Sequence, residues 1–279
     1  MIPTEPTAQA PAPVDIVIPV YNERPDAIEA TLDACLNQTY SASRIFLVDD
    51  GSSVPVSISR RIEITGRVEL IRLPQNGGIS KARNIGIAKS DAALIACVNS
   101  EILPAPDWVA TCASHLLEHP RVGLCYTRMV PHRPQRLLTR WRMRFQEPKF
   151  GDTTKQVPFA PGHAIMARCE ALDRVGGFTV GMRCDEDSDI CLRIAKAGWE
   201  THYIAASRCV SIQDDSLNVL AKKELTRSDW ESPEDYPHGR FLLHRTKWTT
   251  VRMARNLVKG RLYSAGGSGC FHHCIQNCD

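Results

Sequence analysis

Four short segments bring together side chains able to do chemistry. Pro19, Tyr21, Asn22 and Glu23 end one apolar run, Asp49 and Asp50 close another ahead of Gly51 and Ser52, Asn99, Ser100 and Glu101 end a third, and Asp185, Glu186, Asp187 and Asp189 crowd together farther on. Glu101 offers hard oxygen to Mg2+ or Mn2+, whereas Asn99 offers only a neutral carbonyl. The turn Asn76, Gly77 and Gly78 precedes Lys81, Arg83 and Asn84, so free amides at a helix start and basic side chains suit an anion. The same residues also read as an ordinary helix start with a solvated basic face. The carboxylates at 185–189 favour a helix N-terminus through its dipole, and Arg193 is spaced to pair with Asp189 along that helix.

The elements that must position these groups follow from periodicity. DIVIPV (15–20), RIFLVDD (44–50), VELIRLP (68–74) and ALIACVN (93–99) are Val- and Ile-rich runs of strand length. Helical patterns at 25–38 and 79–89 separate them. This alternation predicts an open, mainly parallel sheet with helices on both faces, whose ligands gather at the carboxyl ends of the strands. The polar residues at those ends therefore fall on one edge. Beyond them the pattern predicts a helix at 106–118, strands at 122–128 and 163–168, helices at 169–175 and 186–197, and strands at 201–204 and 208–212. Helices are expected at 216–228 and 236–261. The stretch 130–158, with Arg133, Arg136, Arg140, Arg142 and Arg144, reads as irregular, either a substrate loop or a solvated basic segment. Trp108 and Trp199 read as core or pocket walls before sugar platforms.

The 279 residues carry 34 Lys plus Arg against 31 Asp plus Glu, too even a balance to make nucleic acid the partner. No apolar run reaches the roughly 18–20 residues of a membrane span, and the opening residues lack a basic segment followed by an apolar one. The expectation is a cytoplasmic protein. Eight of the 11 Cys are scattered singly through apolar or helical patterns, as buried thiols of a reducing compartment are.

VDIVIPVYNE (14–23), LVDDGSS (47–53), NGGISKARNIGIAKSDAALIACVNSE (76–101) and DEDSDICLRIAKAGW (185–199) occur in order, and together they resemble family 2 glycosyltransferases over about residues 14–212. The resemblance implies a GT-A fold: an α/β, nucleotide-sugar-binding, Rossmann-like open mixed sheet flanked by helices, here with a C-terminal helical extension. It implies transfer of a sugar, with inversion, from a nucleotide-sugar donor, UDP-sugar favoured. Pro19, Tyr21 and Glu23 match the segment that wraps base and ribose, and Asp49, with Asp50 beside it, the carboxylate that reads the base. Gly78, Lys81 and Arg83 fall on the donor side. The metal-binding triplet falls on Asn99, Ser100 and Glu101, which departs from the usual Asp, any residue, Asp and leaves Glu101 to bind the divalent cation weakly. The usual third ligand, a His near 210, is replaced by Ile212, with Gln213 or Asp214 as substitutes. Asp187 takes the place of the general base, with Glu186, Gly162 and His163 on the acceptor side. Turn formation and helix capping remain the alternative roles for these residues.

The chain divides into a flexible N-terminus at 1–13, a catalytic domain at 14–215, a helical region at 216–264 and a Gly/Ser linker with a Cys/His tail at 265–279. Between 238 and 263 seven Lys or Arg alternate with apolar residues and no Asp or Glu intervenes. This reads as an amphipathic helix for peripheral contact with an anionic membrane or for packing on the catalytic domain. In the tail Cys270, Cys274 and Cys278 recur every four residues around His272 and His273. The three thiols are candidate acceptors for S-glycosylation, candidate soft-metal ligands or inert. Three functions stay open: transfer to a peptide Cys, transfer to a carbohydrate or lipid-linked acceptor, and nucleotide-sugar binding without turnover.

Overall fold

The computed structural model describes residues 12–145, 150–182 and 184–213, with residues 216, 217 and 220. Strand β1 (Val14–Val20), helix α1 (Pro25–Leu36), β2 (Ile45–Asp49), the short α2 (Arg60–Glu63), β3 (Val68–Arg72), α3 (Ile79–Ala88) and β4 (Leu94–Val98) make the first half. The second half runs β5 (Ile102–Pro104), α4 (Trp108–Glu118), β6 (Val122–Pro131), α5 (Leu137–Phe145), β7 (Lys155–Gln156), β8 (Ala164–Arg168), α6 (Cys169–Val175), α7 (Glu186–Lys196) and β9 (Glu200–Ser211). The strands form one mixed sheet in the order β3-β2-β1-β4-β8-β6-β9-β5, with β7 on β9. The first four strands are mutually parallel, whereas β8 runs antiparallel to both β4 and β6.

Both faces of the sheet are covered, which is why β1 is buried at all seven positions. Ile16, Ile18, Leu47 and Val98 face α1 and α4 through Ile28, Leu32, Val109 and Leu116. Val17, Phe46, Ile95 and Cys97 point the other way, onto Ala82 of α3 and Ile190 and Ile194 of α7. Each fully buried side chain of this size contributes about 1.5–3 kcal/mol, so the two layers hold the strand ends in register. Val20, Asp49 and Arg72 stand side by side at the carboxyl ends of β1, β2 and β3.

Two local expectations are corrected. The basic stretch 130–158 is not irregular throughout: it extends β6 to Pro131, forms α5 and adds β7. The pair of strands at 201–204 and 208–212 is one strand, β9, whose register on β6 slips between Thr127 and Arg128. Trp108 is fully buried and donates from Nε1 to Thr127 Oγ1 at 2.9 Å, a core role. Among the described residues six of the eight Cys are buried and all are free. Burial pushes the Cys97 thiol up to about 11 and Cys209 to about 12, so these thiols stay protonated and inert. No helix among the described residues is long and apolar enough to cross a membrane. The segments 1–11 and 221–279, including the basic stretch 238–263 and Cys270, Cys274 and Cys278, lie outside the described residues, as do most of the expected helix 216–228 and Asp214.

Where α4 meets the start of β9, His115 Nε2 lies 3.0 Å from His202 Nδ1, His119 stacks on His115, and His202 reaches Glu200. Burial, then the neighbouring His119 and His202, lower the His115 pKa to about 4. The unfolded imidazole takes a proton near its ordinary value of about 6.5, so stability is full above that pH and falls as pH drops towards 4. We expect the melting temperature to decline from pH 7 to pH 4.5, and the decline to be shallower in His115→Gln. Equal slopes in calorimetric scans of the two proteins would refute this.

Candidate active site

Asp49 ends β2 fully buried. Its Oδ1 accepts from the Ser52 amide at 2.9 Å, its Oδ2 accepts from the Val56 amide at 3.2 Å, and Arg72 pairs with Oδ2 and also donates to the Ser52 carbonyl at 2.9 Å. Burial opposes ionisation of Asp49, but these hydrogen bonds and the guanidinium together hold its pKa below the ordinary value. Asn22, in a left-handed conformation with φ 54°, closes the same loop. Its amide donates to Ser52 Oγ, and its Oδ1 accepts from the Ser53 amide and hydroxyl. Gly51, with φ 73°, admits no side chain, because a Cβ there would lie 2.6 Å from the Gln75 carbonyl carbon. Tyr21 is exposed at the tip of β1, Glu23 is half-buried and Pro19 is buried in register with Val48.

The glycine turn before α3 binds an anion, but the anion is the protein's own. Asp50 accepts from the Gly77 and Gly78 amides at 2.8 Å each and from Asn76 Nδ2 at 3.0 Å. The expectation that these amides face an external anion is thereby corrected: Asp50 already satisfies them, which fixes the turn ahead of Lys81. Asn84 is likewise engaged, exchanging hydrogen bonds with the Phe178 backbone at 2.7 and 2.8 Å.

Arg83 departs most from expectation. Its side chain has no exposed surface, so it is not a basic group on a solvated helix face. Nη2 donates to the Gly162 carbonyl at 2.7 Å and to Asn99 Oδ1 at 3.1 Å, Nη1 donates to Glu186 Oε1 at 3.2 Å, and the guanidinium lies over the Phe178 ring at 4.9 Å. One buried cation therefore ties together α3, the end of β4, the loop before β8 and the start of α7.

On the other side of Gly162 its amide donates to Asp187 Oδ2 at 3.0 Å, while Oδ1 accepts from the Ser188 amide at 2.9 Å. Each carboxylate oxygen keeps one lone-pair direction for a further donor. A Cβ on Gly162 would sit 3.1 Å from Arg83 Nη2 and 3.2 Å from Asp187 Cβ, so only glycine fits without displacing one of them. Glu186 is pushed up from the ordinary carboxyl value by burial and then by Asp187, with Arg83 opposing. Asp185 caps α7 in a left-handed conformation, φ 64°, a strained geometry for a non-glycine residue. Asp189 takes no part in this set: it accepts from Thr179 at 2.6 Å and from Arg193 at 2.6 and 2.9 Å, the helix pair its spacing predicts.

Asn99, Ser100 and Glu101 follow β4. The Asn99 amide donates to the His163 carbonyl at 2.8 Å, which places the triplet beside the loop carrying Gly162. The Ile212 amide donates to the Glu101 carbonyl at 2.9 Å, so the backbone of Ile212 runs beside the triplet. Among the described residues no three His, Cys, Asp or Glu side chains group to hold a metal ion. Ser100 is buried, with its carbonyl accepting from Thr31, and the Asn99 carbonyl oxygen faces Arg83. Glu101, the carboxylate of the triplet, is half-buried between β4 and β5.

Arg72 and Phe178 escaped the sequence reading, and Asn76 was read only as part of its turn. Arg72 alone had a signal there, as a charged residue at the carboxyl end of the strand beside Asp49.

The family model Glycosyl transferase family 2 matches residues 15–176. The pre-mycofactocin glycosyltransferase of Mycobacterium tuberculosis is 27% identical over 208 residues, covering 72% of this chain and 43% of that protein. An N-acetylglucosaminyltransferase of Sinorhizobium fredii is 27% identical over 238 residues, covering 77% and 56%. The chain thus spans about half the length of the curated relatives it matches. Among solved structures, the mannosyltransferase PcManGT from Pyrobaculum calidifontis, in complex with GDP-Man and Mn2+, superposes with a TM-score of 0.62 at 23% identity, over 95% of this chain and 80% of that one. The S. aureus TarS 1-349 complex with UDP-GlcNAc gives 0.58 at 14% identity, over 90% and 76%. The nine-stranded mixed sheet with its flanking helices is the GT-A fold of these structures.

Proposed function

The chain belongs to glycosyl transferase family 2, and from that membership we propose that it transfers a sugar, with inversion, from a nucleotide-sugar donor to an acceptor nucleophile held at Asp187. The observation that carries the reading is the run of contacts from Asp187 through Gly162 to Arg83 and on to Asn99. It sets a carboxylate at a fixed place relative to the triplet after β4.

In the reaction the acceptor X–H gives its proton to the open lone pair of Asp187. X bonds to the anomeric carbon as the bond from that carbon to the diphosphate oxygen breaks, and the nucleoside diphosphate leaves with the electron pair. The Gly162 and Ser188 amides orient the carboxylate for this, and general-base assistance is typically worth about 10²- to 10⁴-fold. Asp49 and the loop it organises, with Pro19, Tyr21 and Glu23, form the base and ribose side. Glu101 would hold a divalent cation, which when bound offsets charge on the departing diphosphate.

Glu101→Gln is expected to weaken divalent-metal dependence and nucleotide affinity together. Unchanged metal titrations of nucleotide binding in that variant would remove Glu101 from the ligand set. The GDP-Man and UDP-GlcNAc bound in solved structures of the same fold support a nucleotide-sugar donor, and UDP-sugar is the form favoured here. The acceptor is a carbohydrate, a lipid-linked sugar or a Cys thiol such as Cys270, Cys274 or Cys278.

The test is incubation with a panel of UDP- and GDP-sugars, followed by intact-mass analysis of the protein and candidate acceptors. Added sugar on an acceptor supports transfer. Nucleotide binding with neither transfer nor hydrolysis would make this a binding protein, and a fully alkylatable tail beside an active enzyme would exclude the thiols.

A further inference from the structure

A second cleft, not used by the chemistry above, opens between the start of α1, the start of α5 and the end of β9. It encloses about 240 Å³ and is lined by Arg24, Arg133 and Arg136, with Thr139 and Ser211 buried at its floor and Ile212 in its wall. Beneath the floor the buried Arg142 donates from Nη2 to Ser211 Oγ at 3.3 Å. The one carboxylate in the lining, Asp26, pairs with Arg24 at 3.6 Å where both are exposed. The cleft therefore carries a positive surplus.

We propose that this cleft binds a phosphate or diphosphate group. Guanidinium forks match the paired oxygens of phosphate, and hydroxyls at the floor suit the same oxygens. The volume falls below the roughly 300 Å³ at which pockets begin to enclose whole small-molecule ligands, so the cleft has room for a charged head group and not for a complete nucleotide sugar.

Its position adds a reason for the surplus. The wall residue Ile212 is bonded through its amide to the carbonyl of Glu101, so cleft and triplet lie on either side of one strand end. Glu101 is the carboxylate of the triplet at that edge, and the arginines of the cleft add fixed positive charge there. The phosphate is carried by a second substrate, since the cleft cannot hold the whole donor, although the donor's own diphosphate offers the same oxygens and has to be told apart by experiment.

The test is calorimetric titration of the full-length, metal-free chain with inorganic pyrophosphate at low ionic strength, where charged contacts are least screened. Wild type is expected to bind saturably, and Arg133→Gln/Arg136→Gln to bind at least tenfold more weakly with unchanged circular dichroism and melting temperature. Arg60→Gln/Arg174→Gln, which removes as much charge at other exposed positions, should stay within twofold of wild type. No saturable binding by wild type, or equal weakening in both double variants, would overturn the proposal. UDP that binds alongside pyrophosphate supports a second substrate's phosphate, and UDP that displaces it would overturn the proposal by returning the group to the donor's diphosphate. The readout is binding, so a protein that turns over no sugar would leave this result standing.

Discussion

Asp187→Asn is expected to lower sugar transfer by about 100-fold or more while nucleotide binding stays within a few-fold of wild type. The amide keeps the size of the carboxylate but cannot take the acceptor proton, and general-base assistance is typically worth about 10²- to 10⁴-fold. Its geometry is also at risk, because Oδ1 and Oδ2 both accept backbone hydrogen bonds, from Ser188 and Gly162. An amide nitrogen at either place would face a donor. The comparison that isolates chemistry from geometry is therefore a pair of measurements on one sample, turnover and UDP affinity. Turnover above about a tenth of wild type would remove Asp187 as base, and joint loss of turnover and UDP binding would show a collapsed site instead.

The second large effect is on stability. Arg83→Met removes the cation that Glu186, Gly162 and Asn99 share. Breaking one side of a buried charge pair costs about 3–5 kcal/mol, and we expect a loss of that order in denaturant melts at pH 8. The loss should shrink as pH falls. Burial, then Asp187, already raise the Glu186 carboxyl, and Arg83 is the charge that opposes them, helped by a backbone hydrogen bond. Without Arg83 the folded protein takes up a proton on Glu186 at a pH where the unfolded chain does not, so stability rises as pH falls through that window. Arg83→Met/Glu186→Gln should recover part of the loss by removing both charges. A single variant within about 1 kcal/mol of wild type at pH 8 would show that the tie is not structural.

The residues that were legible in sequence and those that were not divide on sequence distance. β1, β2 and β4 each hold an apolar run of four or five residues, so their ends, and with them Asp49 and Glu101, could be placed on one edge from periodicity alone. The pairing of Arg193 with Asp189 was equally readable, because helix geometry sets it over four residues. Helix α5 was hidden because four of its nine residues, Arg140, Arg142, Arg144 and Thr139, interrupt the apolar pattern that marks a helix. The single strand β9 was read as two because its irregular register on β6 breaks the alternation near Ala205. The burial of Arg83 was hidden for a different reason. On its helix it looks like any basic side chain after a glycine turn, and the groups that bury it lie at 99, 162 and 186. The role of Asp50 was lost in the same way, since the amides it binds are 27 and 28 residues away. Local pattern reports which segment a residue is in, whereas burial of a charge depends on partners that only the folded chain brings near.

The tie between Arg83 and Glu186 spans 103 positions in sequence, and this has a consequence for how the protein is made. A ribosome adding about 5–20 residues per second takes about 5–20 s to travel from one partner to the other. For most of that interval the parallel half of the sheet, β1 to β4, has been made and can fold around α3, while Arg83 lacks the carboxylate of α7. The nascent chain must leave that guanidinium in water or cover it with something else until α7 has emerged and docked. Synthesis itself thus orders the events, with the parallel half of the sheet first and the carboxylates of α7 last.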